Sequence, residues 1–439
     1  MTVLALKPVL EADLFQEDFA ANAACLPGAG QDWLEKKRAL ALEAFAATGL
    51  PTRRVEAWKY TDLAAALERP LEPATRFHGP VHGTSPFAAI SGTRLMLVNG
   101  FLQAADNSGA EDGVEIFDLS RIGSNPPDWV KNNLGQLAAG PEQPLGAASL
   151  ALMRGGVALR VRAANATVHL HCVNSAGERD VVSHSRVLIL VEKGASLRLL
   201  EFHSSEGSAQ SLTNLGMELH LNAGAKLEHI RLQAEADSAL HVASIGAVLE
   251  RDAGYRALFA GLGGRISRVD VQVRLDGPGA EANLHDVAAP SSGISDVTTV
   301  MEHAKPHTTS RQLFKSVVGG RGRSVSQGRV IVREGAVKSD SHQLFKALLL
   351  SPRAEADAKP ELEIFADDVI CGHGTAIGAL DADALFYLRA RGIPESEAKG
   401  LLIRAFLDDA IQEFVDPTVH DAVWQRLDAA LAAMGQEQT

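Results

Sequence analysis

Val269-Asp270-Val271-Gln272-Val273-Arg274-Leu275-Asp276 alternates an apolar side chain with a polar or charged one along its whole length. Successive side chains of a β-strand point to opposite faces, so this stretch reads as a strand with one face in a core and one face polar. The same reading spreads in both directions. In Val168-His169-Leu170-His171-Cys172, Val168, Leu170 and Cys172 share one face, while His169 and His171 take the other. Val187 to Val191 is apolar without interruption, as expected of a strand covered on both faces. Between such runs stand Gly194-Ala195, Gly224-Ala225, Ala253-Gly254, Gly279-Ala280 and Gly335-Ala336. The glycines are 30, 30, 25 and 56 residues apart, the last close to two steps of about 28. A repeat of that length predicts stacked coils, each burying its apolar face on the next. No amphipathic helix separates the strands, so the reading is a mainly β solenoid rather than βαβ units, with a large sandwich or two small β domains as alternatives.

Helical segments bracket the solenoid. Trp33 to Thr48 is rich in Ala, Leu, Glu and Lys and stops at Gly49 and Pro51. A second helical segment is expected around Arg53 to Leu67, and Arg94 to Val98 is strand-like. Gly140-Pro141 to Pro144 reads as a linker. After Gly378, Asp381 caps a helix that ends at Gly392, and Pro394 opens the next. In that helix Ala398, Leu401, Leu402, Ala405 and Phe406 fall on one face. A third helix carries Val423, Trp424, Leu427 and Leu431. The organisation is therefore 1–145 mixed and helical, 146–378 solenoid, 379–439 helical.

With 439 residues, 46% hydrophobic and 22% charged, the chain has an ordinary soluble balance. The net charge of −12 and short basic runs such as Arg321-Gly322-Arg323 argue against nucleic-acid binding. No stretch approaches the roughly eighteen apolar residues of a membrane span. Met1 to Lys7 shows no secretory pattern, and the expected location is the cytoplasm. Three scattered cysteines, Cys25, Cys172 and Cys371, make neither a disulfide framework nor a closed zinc site.

The chemistry concentrates between Glu361 and Gly374. Glu361, Glu363, Asp367, Asp368, Cys371 and His373 lie within thirteen residues. On a strand Cys371 and His373 share a face, about 7 Å apart. Thiolate and imidazole suit zinc, iron or copper, and carboxylates suit iron. Two ligands do not close a site, so the others must come from elsewhere in the fold or from another subunit. A structural Cys beside a hydrogen-bonded His is the plain alternative. His303 and His307 beside Glu302 form a weaker pair, split by Pro306 and read as a solvated strand and turn. Cys172 reads as core. The histidines at 169, 171, 203, 220, 229, 241 and 285 read as outward strand residues. No phosphate-binding loop, hydrolase elbow or dinucleotide fingerprint is present.

Thr309 to Lys315, Gln327-Gly328-Arg329-Val330, Leu348-Leu349-Leu350-Ser351, Pro360 to Gly374 and Leu385 to Ile393, taken in order, resemble the SufB/SufD family of iron–sulfur cluster assembly proteins, in its SufD branch. Glu56-Ala57-Trp58-Lys59-Tyr60-Thr61 resembles a segment these proteins carry near their start. The resemblance implies a right-handed parallel β-helix and a non-catalytic subunit. It implies a complex with a SufB-like partner and a SufC-like ATPase, with sulfur supplied by a cysteine desulfurase system. It places His373, with Cys371 beside it, at the interface with the SufB-like partner. An iron–sulfur cluster or iron would be shared there transiently, and none would be held permanently by this chain alone. The family often reads Cys-Ser-His-Gly, where this chain has Gly372. The C-terminal helices imply docking of the ATPase on Leu401, Leu402, Ala405 and Phe406. The isolated chain could pair with itself. The competing readings are a purely structural solenoid partner and a carbohydrate-acting β-helix enzyme using Asp367 and Asp368. Adjacent strand residues face opposite ways, which counts against the second.

Overall fold

In the computed structural model the alternating run lies in the strand Ile266–Leu275, with Val269, Val271, Val273 and Leu275 inside an apolar core. The structure describes residues 13–67, 69–103, 112–123, 125–177, 179–207, 209–412 and 417–436. Met1 to Lys7, read above for a secretory pattern, lies outside the described residues.

Two sheets run the length of the molecule. The first holds, in spatial order, β4 (Val114–Asp118), β5 (Gly155–Val161), β7 (Val181–Val191), β9 (Ser211–Leu221), β11 (Ala239–Leu249), β13 (Ile266–Leu275), β15 (Ile294–His303), β17 (Arg323–Val332) and β19 (Glu355–Ile364), with β1 (Glu72–Pro73) beside β7. The second holds β3 (Phe101–Leu102), β2 (Thr93–Val98), β6 (Ala166–Gly177), β8 (Ser196–Gly207), β10 (Lys226–Gln233), β12 (Gly254–Gly261), β14 (Glu281–Ala288), β16 (Thr309–Val318), β18 (Asp340–Leu349) and β20 (Ile370–Gly378). From β5 onward the chain alternates between sheets, and each strand pairs in parallel with the one two places on. This is a parallel β-solenoid. Like residues stack in register, so Val269, Val271 and Val273 of β13 lie on Val297, Thr299 and Met301 of β15.

The glycine repeat marks one corner of each coil. Gly194, Gly224, Gly279 and Gly335 all have positive φ, between 71° and 77°. Glycine reaches that region without a Cβ clash. Asp252, at φ 56°, takes the corner where the sequence suggested Gly254. The long step to Gly335 contains a hidden corner, His307 at φ 58°. The final corner is Asp368, also at φ 56°.

Both outer faces are covered, but unequally. The helices α1 (Asp13–Asn22), α2 (Asp32–Ala46), α3 (Leu63–Ala66), α4 (Asp128–Asn133) and α5 (Pro144–Ala151) belong to the cover of the first sheet. Leu188 and Leu190 of β7 point into this cover, while Val187, Ile189 and Val191 point into the lumen, as the unbroken apolar run predicts. Two expectations fail here. Arg53 to Leu67 is mostly turn, with helix only at Glu56–Trp58 (3-10) and α3. The expected linker at 140–144 turns directly into α5, which is buried on all sides. The second sheet is covered by α7 (Glu395–Ile411) and α8 (Pro417–Gln436), preceded by α6 (Ala382–Ala390). Asp381 caps α6 by accepting from the N–H groups of Asp383 and Ala384. Among the described residues no helix is long and apolar enough to cross a membrane.

Candidate functional site

The last coil, β19 and β20, is the end of both sheets. Each strand pairs on one side only, with β17 and β18 respectively. Ile364, Phe365, Ile370 and Ile377 of this coil are exposed, Ile370 by 65%. The C-terminal helices pack against the side of the solenoid, on β14 and β16, and leave its end open.

Cys371 and His373 stand on the lumen face of β20. Their register partners on β18 are Ser341 and Gln343. Cys371 is half-buried against the apolar lumen, and His373 is exposed at its mouth. Burial pushes the Cys371 thiol up, a hydrogen bond with the Ser341 backbone pulls it down, and the Asp340 carboxylate raises it further. Below His373 the column continues with two buried amides, Gln343 and then Gln312. Gln312 Oε1 accepts from Thr299 Oγ1 at 2.6 Å, and neither amide nitrogen has a partner among the described residues.

The sequence cluster does not stay together. Glu361 and Glu363 project from the outer face of β19, towards Lys359 at 3.4 Å and Arg329 at 3.7 Å. Asp368 sits at the corner, paired with Lys338 at 2.5 Å. The carboxylates therefore do not join Cys371 and His373, which alternation on the strand already demands of Glu361 and Glu363. Among the described residues no group of three His, Cys, Asp or Glu side chains is placed to hold a metal ion. Gly372 faces outward beside His342, and a Cβ there would meet its ring at 3.7 Å, ordinary contact. A serine hydroxyl at this position would lie on the face opposite Cys371 and His373.

The apolar stripe of α7 is split. Ala398, Ile403, Leu407, Ala410 and Ile411 are buried against the second sheet. Leu401 is 46% exposed and Ala405 is exposed, with Leu402 and Phe406 between. Phe406 partly packs inward, with Lys315 Nζ 4.8 Å from its ring centre. On α6, Phe386 and Tyr387 are exposed.

The SUF system FeS cluster assembly SufBD core domain matches residues 171–406, and the SufBD protein N-terminal region matches 11–169. The chain belongs to the SufBD family. It is an iron–sulfur cluster assembly protein of the SUF system. The SufBD chain is 29% identical to iron–sulfur cluster assembly protein SufD of Escherichia coli over 384 residues, covering 87% of this chain and 89% of that one. It is 25% identical to a SufBD family protein of Synechocystis over 406 residues, 89% of each chain. A chloroplastic protein of Arabidopsis thaliana is 28% identical over 403 residues, 88% of this chain and 84% of its own.

Other sequence candidates of this SufBD protein fall into different places. His303 and His307 are no pair. His307 is a corner residue, and His303 is buried in the lumen rather than solvated. Its Nδ1 and Nε2 meet Thr308 Oγ1 at 2.8 Å and Ser310 Oγ at 2.9 Å. Burial lowers its pKa to about 4. His169, His171, His220 and His285 do point out of the lumen, under the covers. His203, His229 and His241 point inward instead, into a polar network that the sequence reading missed. The parity was legible, since Glu201 and His203 continue the lumen face of Leu197 and Leu199, but their polarity argued for the outside.

The segment 56–61 clamps the N-terminal region to the solenoid. The Arg268 guanidinium lies 4.0 Å from the centre of the Trp58 ring and donates to Asp296 at 2.5 Å and to the Ala57 carbonyl at 2.9 Å. Thr61 Oγ1 donates to the same Asp296 carboxylate at 2.5 Å.

Proposed function

We propose that the open end of the solenoid is the seam where this chain meets a SufB-like partner, and that His373, with Cys371 beside it, lends ligand atoms to iron or an iron–sulfur cluster built across that seam. The observation that carries this reading is the coincidence of two unpaired sheet edges with an inward-facing thiol and imidazole at one end. Unpaired N–H and C=O groups are a template for another chain's strands. Two ligands are too few to retain a cluster. A half-site completed by a partner holds its cargo while the seam is closed and frees it when the seam moves.

In this reading the chain is a non-catalytic subunit, and a SufC-like ATPase drives the movement. The ATPase docks on α7, at Leu401, Leu402, Ala405 and Phe406, where apolar surface remains uncovered. Sulfur arrives from a cysteine desulfurase system through the partner. The complex works in the cytoplasm, and the units are 1–145, 146–378 and 379–439. In isolation the same seam lets the chain pair with itself.

The test is anaerobic reconstitution of the three-subunit complex with His373→Ala, followed by iron and acid-labile sulfide analysis. A ligand role predicts a loss of cluster yield of about tenfold or more. Wild-type rate and yield would leave the chain a structural scaffold without a ligand of its own.

A further inference from the structure

Near the opposite end of the solenoid, several coils from His373, the lumen encloses a cavity of about 20 Å³ lined by Cys172, Asn174, His203, Thr213 and Glu235 among others. That is room for a single water-sized occupant. Cys172 and His203 are register partners on β6 and β8, and Asn174 follows Cys172 on the same face.

The hydrogen bonds of the lining residues leave two buried atoms, one on His203 and one on Asn174, unpaired among the described residues. Both Glu201 oxygens face ring or guanidinium nitrogens, those of His203, His229 and Arg231, so the carboxylate acts as an acceptor. His203 Nε2 therefore donates to Glu201, whose other oxygen accepts from His229 Nε2 at 2.6 Å, with Arg231 Nε 3.4 Å away. This fixes the His203 tautomer and leaves Nδ1 as a bare acceptor, buried and without a partner among the described residues. Asn174 is fixed in the same way. Thr213 Oγ1 donates to Glu235 at 2.7 Å, so it accepts from Asn174 Nδ2 at 3.0 Å. Asn174 Oδ1 is then also buried without a partner among the described residues. The network brings the carboxylates Glu201 and Glu235 together with Arg231, His229 and His241. His241 donates from Nδ1 to Glu235 at 2.6 Å and accepts at Nε2 from Arg231.

The geometry points to a binding site for one transition-metal ion of borderline softness, anchored by Cys172 Sγ and His203 Nδ1, with Asn174 Oδ1 as third ligand. A thiolate, an imidazole and an amide oxygen form a mixed set suited to iron(II), cobalt(II) or zinc(II). A carboxylate on the far nitrogen of the ligating imidazole is the usual outer support of such a site, and Glu201 provides it. The site lies wholly within this chain and is independent of the role proposed for His373.

Cobalt(II) alone is the probe, added anaerobically to the full-length chain. One equivalent is expected to produce the near-ultraviolet thiolate-to-cobalt charge-transfer band. Cys25 and Cys371 are the only other thiols, so the band must persist in the double variant Cys25→Ser/Cys371→Ser. It must vanish in Cys172→Ser, and Glu201→Gln should weaken binding by about tenfold or more. Should Cys172→Ser not fold, cobalt X-ray absorption on the double variant still decides, since any thiolate sulfur neighbour is then Cys172. A band that follows Cys371, or its absence from the wild type at millimolar cobalt, overturns the proposal and leaves the cavity to water.

Discussion

Asp286 lies on the lumen face of β14, between the register partners Phe259 and Phe314. Burial pushes its carboxyl up from 3.8 to about 8, against the pull of Arg231. The folded protein thus keeps a proton that the unfolded chain releases. The contribution of this group to stability is full below its unfolded pKa and is lost as pH rises through about 8. Asp286→Asn cannot ionise and should escape this loss. Between about pH 5 and pH 9 the melting temperature of the wild type should fall relative to the variant, by about 2 °C or more, as followed by thermal unfolding. A gap independent of pH would show that Asp286 does not titrate in that range. Glu218 meets the opposite environment. It accepts from Arg186 at 2.6 Å and from the N–H groups of Gly135, Gln136 and Leu137 at 2.8, 2.9 and 3.0 Å. These four hydrogen bonds satisfy the buried carboxylate and fasten the segment before α5 to β9.

At the scale of elements, α7 shows how a correct helix can present a different face from the one its sequence suggests. The buried positions are Ala398, Ile403, Leu407, Ala410 and Ile411. Leu401 and Ala405 are left to solvent, so part of the expected stripe is free for a partner. Leu401→Glu should keep stability within about 0.5 kcal/mol of wild type yet abolish co-purification with the ATPase. Leu407→Glu buries a charge and should cost about 3 kcal/mol or more, visible as a lowered denaturant midpoint. Retained co-purification of a folded Leu401→Glu variant would remove this helix from the docking surface. The helices around Asp381, Gly392 and Pro394 were legible because capping is a local signal. α5 was not, because Gly140, Pro141 and Pro144 are turn residues, while its burial depends on β7, β9 and β11.

At the scale of the molecule, the solenoid is covered along its sides and bare at its C-terminal end. A bare end with two free strand edges invites a second chain. The isolated protein should therefore self-associate with rising concentration in sedimentation velocity. Ile370, on the outer face of β20, is 65% exposed. Ile370→Lys should shift the equilibrium towards monomer and leave the melting temperature unchanged. Equal self-association of this variant would place the contact elsewhere.

The sequence alone determined the coil, the alternation of faces and the glycine corners, because strand periodicity and left-handed turns are properties of a few adjacent residues. It also brought Cys371 and His373 to one face. Tertiary structure decided everything that depends on which coil lies beside which. Stacking in register turned His203, His229 and His241 from expected surface residues into an interior network. It made His307 a corner and His303 a buried partner of two hydroxyls. It also left β20 with a neighbour on one side only, so that His373 faces an opening rather than another coil. Polarity indicates where a side chain would lie if it acted alone, and the lumen admits polar side chains because neighbouring coils supply their hydrogen bonds.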